Sequence, residues 1–229
     1  MFPIGDQDVV EERLSWVTYA LIGINVLVFL FLEVPVMGDQ AAFQHFVEMY
    51  GAVPAEIQQG QDLFTILTSM FLHGGWLHLI SNMLFLWIFG DNIETVLGHI
   101  PYLIFYLLGG VVATGAHILF NLGSPVPSVG ASGAISAILG AYIVMFPGNQ
   151  VKMLILSGIY VGVTYISALF FLGLWALTQV INGIGSTVNT AHTSRVAIWA
   201  HIGGFVAGLI VGYLFRTNAA KLRVVAIRR

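Results

Sequence analysis

The chain has 229 residues, of which 58% are hydrophobic and 8% are charged, and its formal net charge is −3. Soluble domains carry about 25% charged residues, so this composition excludes an ordinary soluble domain and indicates a protein whose solvent is lipid. The lack of cysteine in the sequence excludes disulfides, thiolate metal sites and a cysteine nucleophile. No basic run is dense enough to predict nucleic-acid binding.

Six apolar stretches, each close to the length of a membrane-spanning helix, predict six transmembrane helices. They cover residues 16–32, 77–93, 100–120, 130–146, 162–184 and 196–215. The apolar run 151–184 is too long for one span and too short for two, so the fifth helix is placed in its second half and the first half is expected along the membrane interface. The first stretch has no small-residue cleavage site and is interpreted as a retained helix. We predict an all-α membrane protein, a compact six-helix bundle forming a single domain over residues 1–229.

Lysine and arginine residues near predicted spans indicate the cytoplasmic side. Five of the eight basic residues lie at the C-terminus: Arg216, Lys221, Arg223, Arg228 and Arg229. Arg13 and Lys152 fall on the same side when the number of spans is even, whereas Arg195 is an exception. The sequence predicts a short cytoplasmic N-terminus (1–15) and a basic cytoplasmic tail (216–229).

Four polar residues stand near the starts of alternate predicted helices. His78 and Asn82 open the second helix, Ser132 opens the fourth and His201 opens the sixth. Polar residues within spans usually face the bundle interior, and alternate helices begin on the same side, so these side chains are predicted at a similar depth near the outer face. The fourth helix is shorter than the hydrocarbon core is thick. The preceding loop must then dip inward, which gives the hypothesis of a water-filled cavity above Ser132.

Small residues on the fourth and sixth helices indicate that their backbones pack closely. On the sixth helix two glycines follow His201 at spacings of three and four residues, which places them on its face. The residues predicted for helix packing are Gly130, Gly133, Gly140, Gly204 and Gly208. This packing would bring Ser132 towards His201.

These side chains form the parts needed for acyl transfer. Ser132 is a candidate nucleophile, and a neutral His201 is a candidate base for its proton. Free N–H groups at the helix start favour an oxyanion beside Ser132, and His78 and Asn82 are candidate further donors. Taken singly, each residue has a structural interpretation as a cap, a packing residue or a tie between helices. Their shared depth and their order favour the chemical one.

Three motifs resemble the signature of the rhomboid intramembrane serine proteases: GASG at 130–133, AHIGGFVAG at 200–208 and HLISN at 78–82. The flanking HGGW at 73–76 and Glu94 resemble that family too. The resemblance implies a catalytic Ser132–His201 dyad with no acidic third member, and an oxyanion site of His78, Asn82 and the Ser132 amide.

The resemblance further implies that the partners are single-span membrane proteins, cut near the outer end of their transmembrane helix. The fifth helix and the loop near it would act as a lateral gate. A cell-membrane location, with the active site open to the outer face, follows from the same analogy. No metal or other cofactor is expected, and the oligomeric state is not predicted.

Two features depart from the family pattern. Many members carry an aromatic residue four positions after the serine, stacked on the catalytic histidine, and here that position is Ser136. A Trp–Arg pair found in the first loop of some members is absent too. The resemblance therefore assigns no residue that orients His201.

Other functions remain as alternatives. A catalytically inactive rhomboid-like protein that binds membrane clients would typically lack the serine or the histidine, and both are present. A transporter or channel is disfavoured because the sequence shows no inverted repeat, and Asp91 and Glu94 lie at a helix end. The HExxH motif of a metalloprotease does not occur in the sequence.

Overall fold

The computed structural model describes residues 1–6, 14–158, 160–188 and 197–227, and every structural statement below concerns these residues. Four of the basic residues used to predict the membrane orientation lie outside the described residues, and so does residue 196, the predicted start of the sixth helix. Those four basic residues are Arg13, Arg195, Arg228 and Arg229.

The first apolar run forms one continuous rod, Trp16–Met37, which ends five residues later than predicted. It consists of α1 (Trp16–Val28), a π-helical segment (Phe29–Glu33) and α2 (Val34–Met37). The first backbone N–H groups of a helix have no partner inside it. Here the Glu94 carboxylate, which is buried, accepts the N–H of Val17 at 2.9 Å and that of Thr18 at 2.8 Å.

Short helices fill the connection to the second predicted span. They are α3 (Gln40–Tyr50), α4 (Pro54–Gln58) and α5 (Thr65–Thr68), the last continued by a 3-10 turn at Ser69–Phe71. The Asp39 side chain caps α3 by accepting two of its first N–H groups. The segment formed by α5 and the 3-10 turn meets the next helix at an angle of 91°.

Three further helices match the second, third and fourth predicted spans. They are α6 (Trp76–Leu97), α7 (His99–Phe120) and α8 (Ser132–Met145). The helix α8 begins two residues later than predicted, because Gly130 has a φ of +132° and cannot continue a right-handed helix. Most residues of α8 are buried, as expected of a helix that is apolar on every side, and it forms the centre of the protein.

The strongest difference from the predicted all-α fold is a three-stranded antiparallel sheet. It contains β1 (Phe2–Gly5), β2 (Gln150–Ser157) and β3 (Tyr160–Ser167), in the order β1-β2-β3. Residue 162, the predicted start of the fifth helix, therefore lies in β3. Apolar content does not distinguish a strand from a helix. The alternation of β-branched and aromatic residues at Val161, Val163 and Tyr165 favours a strand.

The remaining helices are α9 (Ala168–Val188) and α10 (Ile198–Ile227). The fifth helix therefore begins six residues later than predicted. The sixth extends twelve residues beyond the predicted end at residue 215, into the basic tail.

Within the described residues, three helices are long and apolar enough to cross a membrane: Trp16–Met37, His99–Phe120 and Ile198–Leu222. The bent pair around α6 would be a fourth. Ser132–Met145 and Ala168–Ile184 are apolar but shorter; the 14 residues of α8 measure about 21 Å. The chain is thus a mainly helical membrane protein, and its described residues contain three or four spans by length and composition.

One end of the bundle joins the N-terminal strand to the ends of α6 and α8. Gly5 of β1 lies opposite Lys152 of β2. The Asp6 carboxylate accepts hydrogen bonds from Asn92 at 2.9 Å and from the Tyr142 hydroxyl. The N-terminus and the segment that contains Lys152 therefore lie at the same end of the protein, opposite the start of α8.

Candidate active site

Backbone hydrogen bonds hold the loop before Ser132 in place. The Gly130 N–H donates to the carbonyl oxygen of Ser69 at 2.9 Å. Ala52 and Ser128 exchange two backbone hydrogen bonds of 3.0 and 2.9 Å. Because these contacts fix the chain immediately before α8, they also fix the first residue of that helix, Ser132.

His201 lies in the first turn of α10, with its Nε2 atom 2.8 Å from the Oγ of Ser132. The backbones of α8 and α10 approach closely below this contact. A Cβ placed on Gly208 would lie 2.7 Å from the carbonyl carbon of Ala137, and one on Gly140 would lie 3.0 Å from the backbone N of Leu209. Side chains at these glycines would push the two helices apart, and the serine and histidine with them.

The other predicted packing glycines have different positions. A Cβ on Gly204 would lie 3.2 Å from the carbonyl carbon of Gly133, so Gly204 belongs to the same α8–α10 contact. Gly133 itself faces α7, where its Cβ would lie 2.7 Å from the Cβ of Ala113. Gly130 lies outside any helix and does not pack helices. It provides a positive φ and leaves room for the His78 ring, which its Cβ would approach to 2.8 Å.

His78 and Asn82 occupy the first two turns of α6. The Gly74 N–H donates to Nδ1 of His78 at 3.3 Å, so Nδ1 acts as an acceptor and the ring proton belongs on Nε2. The position of a Gly130 Cβ is 2.9 Å from His78 Nε2 and 3.5 Å from Ser132 Oγ, so this ring nitrogen and the serine hydroxyl border the same space at Gly130. Asn82 is buried, and among the described residues its Nδ2 has no hydrogen-bond acceptor.

A second buried carboxylate supports the turn that leads into α6. Glu33, in the π-helical segment, is fully buried and accepts the backbone N–H of His73 at 2.8 Å. The His73 ring in turn packs edge-on against the His78 ring, with a centroid distance of 5.2 Å. This contact links the end of the first span to the orientation of His78.

Two residues that the sequence interpretation missed contact His201 from α9. The Oε1 atom of Gln179 is 2.9 Å from Nδ1 of His201, and the Trp175 ring lies 6.0 Å from the imidazole centroid. The rule that selected the other polar residues within spans would also have selected Gln179. Ser136, where an aromatic residue would be expected to stack, instead donates its hydroxyl to the carbonyl oxygen of Ser132 at 2.6 Å.

A small cavity adjoins Ser132 between α7 and α8. Its lining residues include Ser69, Thr114, Ser128 and Ser132. Within the described part of the chain, no group of three or more histidine and acidic side chains could hold a metal ion.

Comparisons with known proteins identify the family of this chain. A family model described as the Rhomboid domain matches residues 60–218. The chain is 31% identical, over 83% of its length, to the rhomboid protease GluP of Bacillus subtilis. It is 27% identical, over 91% and 90% of its length, to RHOMBOID-like protein 9 (chloroplastic) of Arabidopsis thaliana and to Rhomboid protein 1 (mitochondrial) of Saccharomyces cerevisiae. It spans 33%, 44% and 55% of these three relatives respectively. The matches show that the chain belongs to the rhomboid family.

Proposed function

We propose that this member of the rhomboid family is an intramembrane serine protease that hydrolyses single-span membrane proteins near the outer end of their transmembrane helix. The observation that carries the proposal is the 2.8 Å contact between Ser132 Oγ and His201 Nε2. In the reaction, Ser132 Oγ attacks the substrate carbonyl carbon while its proton passes to His201 Nε2. His201 then returns this proton to the leaving amine, and water hydrolyses the acyl-enzyme with the same base.

The surroundings of Ser132 support stabilisation of the oxyanion in this reaction. Ser132 is the first residue of α8, so its N–H is one of the free donors at a helix start. The Nε2 atom of His78 borders the same space at Gly130 as the Ser132 hydroxyl. The Nδ2 of Asn82 is a buried donor that has no acceptor among the described residues, which is costly unless a partner forms. A developing oxyanion would be that partner.

The proposal includes the membrane arrangement. Six spans would result if α8 and α9 cross with the four longer candidates, although α8 and the apolar part of α9, Ala168–Ile184, are shorter. Both termini would then be cytoplasmic, in a cell membrane, and the start of α8 would open to the outer face. The sheet end of the protein, with Lys152, would lie on the cytoplasmic side. Substrate would enter beside α9.

Cleavage of a model single-span helix by the purified protein in detergent tests this function. We expect Ser132→Ala and His201→Ala each to lower the rate at least about 10³-fold while the melting temperature stays near that of the wild type. Ser157→Ala and His45→Ala, at exposed positions, are the matched controls and should leave the rate unchanged. Full activity in Ser132→Ala would refute the proposal.

A fluorophosphonate probe gives an independent measurement, because it labels only an activated serine. We expect labelling of the wild type at Ser132 and none in His201→Ala. A folded wild-type protein that neither cleaves the model helix nor reacts with the probe would instead be a client-binding protein without activity.

A further inference from the structure

Hydrogen-bond directions around His201 follow from the fixed donors and acceptors of its neighbours. The Thr178 hydroxyl donates to the carbonyl oxygen of Trp175 at 2.6 Å, so a lone pair of that hydroxyl faces Nε2 of Gln179, 3.3 Å away. The amide nitrogen of Gln179 is therefore turned towards Thr178. Its carbonyl oxygen Oε1 is then the atom that faces His201 Nδ1 at 2.9 Å.

A carbonyl oxygen can only accept, so His201 Nδ1 must carry the ring proton. In a neutral imidazole the other nitrogen then has a free lone pair. That nitrogen, Nε2, faces the Ser132 hydroxyl at 2.8 Å. The hydrogen bonds therefore form a chain in which each group donates to the next, in the order Ser132, His201, Gln179, Thr178 and the Trp175 carbonyl. Hydrogen bonds arranged in this way strengthen one another.

On α8, the position where many rhomboid proteins carry an aromatic ring against the imidazole is Ser136, which has no ring to stack. Ser136 is committed to the backbone oxygen of Ser132. The Trp175 ring, one turn before Gln179 on the same face of α9, packs at an angle of 39° to the imidazole. A ring packed in this way limits rotation of the imidazole but does not distinguish Nδ1 from Nε2. Among the described residues, the half-buried amide of Gln179 is the neighbour of Nδ1 that distinguishes them.

We propose that Gln179 is the positioning residue of the base, which selects the Nδ1–H form of His201 so that Nε2 can accept the Ser132 proton. This inference rests on the proposed function of Ser132 and His201. In a Ser-His-Asp triad, a carboxylate holds the histidine in the correct tautomer. Here the uncharged amide of Gln179 has that role. The Thr178 hydroxyl keeps the amide from turning its nitrogen towards the imidazole.

The test compares Gln179→Leu with Gln179→Glu in the full-length protein. Leucine has a similar size but accepts no hydrogen bond. We expect kcat for the model helix to fall about 10²-fold in Gln179→Leu, KM to stay within about twofold, and fluorophosphonate labelling of Ser132 to slow by a similar factor as kcat. The carboxylate introduced by Gln179→Glu also accepts from Nδ1–H, so this variant should keep most of kcat. Leu177→Ala, at an exposed position of α9, controls for damage to the helix.

A spectroscopic measurement separates this inference from the proposed function, because it needs no activity. In ¹⁵N NMR of histidine-labelled protein, the His201 signal, assigned by its loss in His201→Ala, should report a proton on Nδ1 in the wild type and a mixture of tautomers in Gln179→Leu. An unchanged tautomer and an unchanged kcat in Gln179→Leu would overturn the positioning role while leaving the dyad intact. So would a loss of kcat that is as large in Gln179→Glu as in Gln179→Leu.

Discussion

The close contact between α8 and α10 predicts that a single methyl group at Gly208 will impair catalysis from a distance. A Cβ at this position would lie 2.7 Å from the carbonyl carbon and 2.9 Å from the Cα of Ala137, with the carbonyl oxygen nearer still. Carbon atoms in contact normally lie about 3.5–4.0 Å apart. In Gly208→Ala the two backbones must therefore separate by at least about 0.8 Å, since neither partner is the end of a flexible side chain.

The consequence for activity follows from where the two helices carry their functional groups. Ser132 is on α8 and His201 is on α10, and Gly208 lies two turns below the histidine without touching the site. A displacement of nearly 1 Å would stretch their 2.8 Å hydrogen bond, and misplacement of this size can cost about 10²-fold in rate. Overpacking should also destabilise the protein by about 1–3 kcal/mol.

Cleavage of the model helix and thermal unfolding in detergent measure these two effects separately. Gly115→Ala is the matched control, because it lies in α7 and a Cβ there would meet nothing within 4 Å; it should leave both measurements near wild type. If Gly208→Ala retained the wild-type rate and melting temperature, the glycine contact would not be what sets the distance between serine and histidine.

Two further variants test other contacts. Gly130→Ala would place a methyl group 2.8 Å from the His78 ring at a φ of +132°, and we expect a loss of cleavage of about 10²-fold. Gly123→Ala is also at a positive φ but meets nothing within 4 Å, and an equal loss there would contradict a specific role for the ring. Glu94→Gln should lower the free energy of unfolding by about 1.5–3 kcal/mol, because it removes the charge that accepts the N–H groups of α1. Thermal unfolding measures this loss, and Glu48→Gln, at an exposed position, should show none.

The contact between Ser132 and His201 could be predicted from the sequence because it follows from two simple rules of helix geometry. Alternate helices begin at the same end, and small residues at spacings of three and four lie on one face. Neither rule depends on the details of a loop or of a neighbouring side chain. Gln179 could also have been predicted from the sequence, because it is a polar residue within an apolar helix and such residues usually face the bundle interior.

Other features depend on contacts between distant parts of the chain, which no local pattern specifies. Glu94 caps a helix that begins 78 residues earlier, so nothing near Trp16 shows where its N–H groups are satisfied. The pairing of β1 is a similar case, because its partner strand β2 lies about 150 residues later in the sequence. The stretch 151–167 forms the paired strands β2 and β3, and because a two-stranded hairpin alone is marginally stable, β1 completes the sheet.

The central helix α8 determines the positions of Ser132, His201 and Gln179 relative to one another. Its middle lies against α10, which fixes the histidine. Its C-terminal end fixes α9: the Tyr142 hydroxyl accepts a hydrogen bond from Asn149 at 3.0 Å, and the backbone oxygen of Asn149 accepts the N–H of Ala168, the first residue of α9, at 2.8 Å. Because β3 runs into α9 without a linker, the sheet limits how that helix can rotate. The position of Gln179, three turns further along α9, is therefore determined relative to the same helix that begins with Ser132.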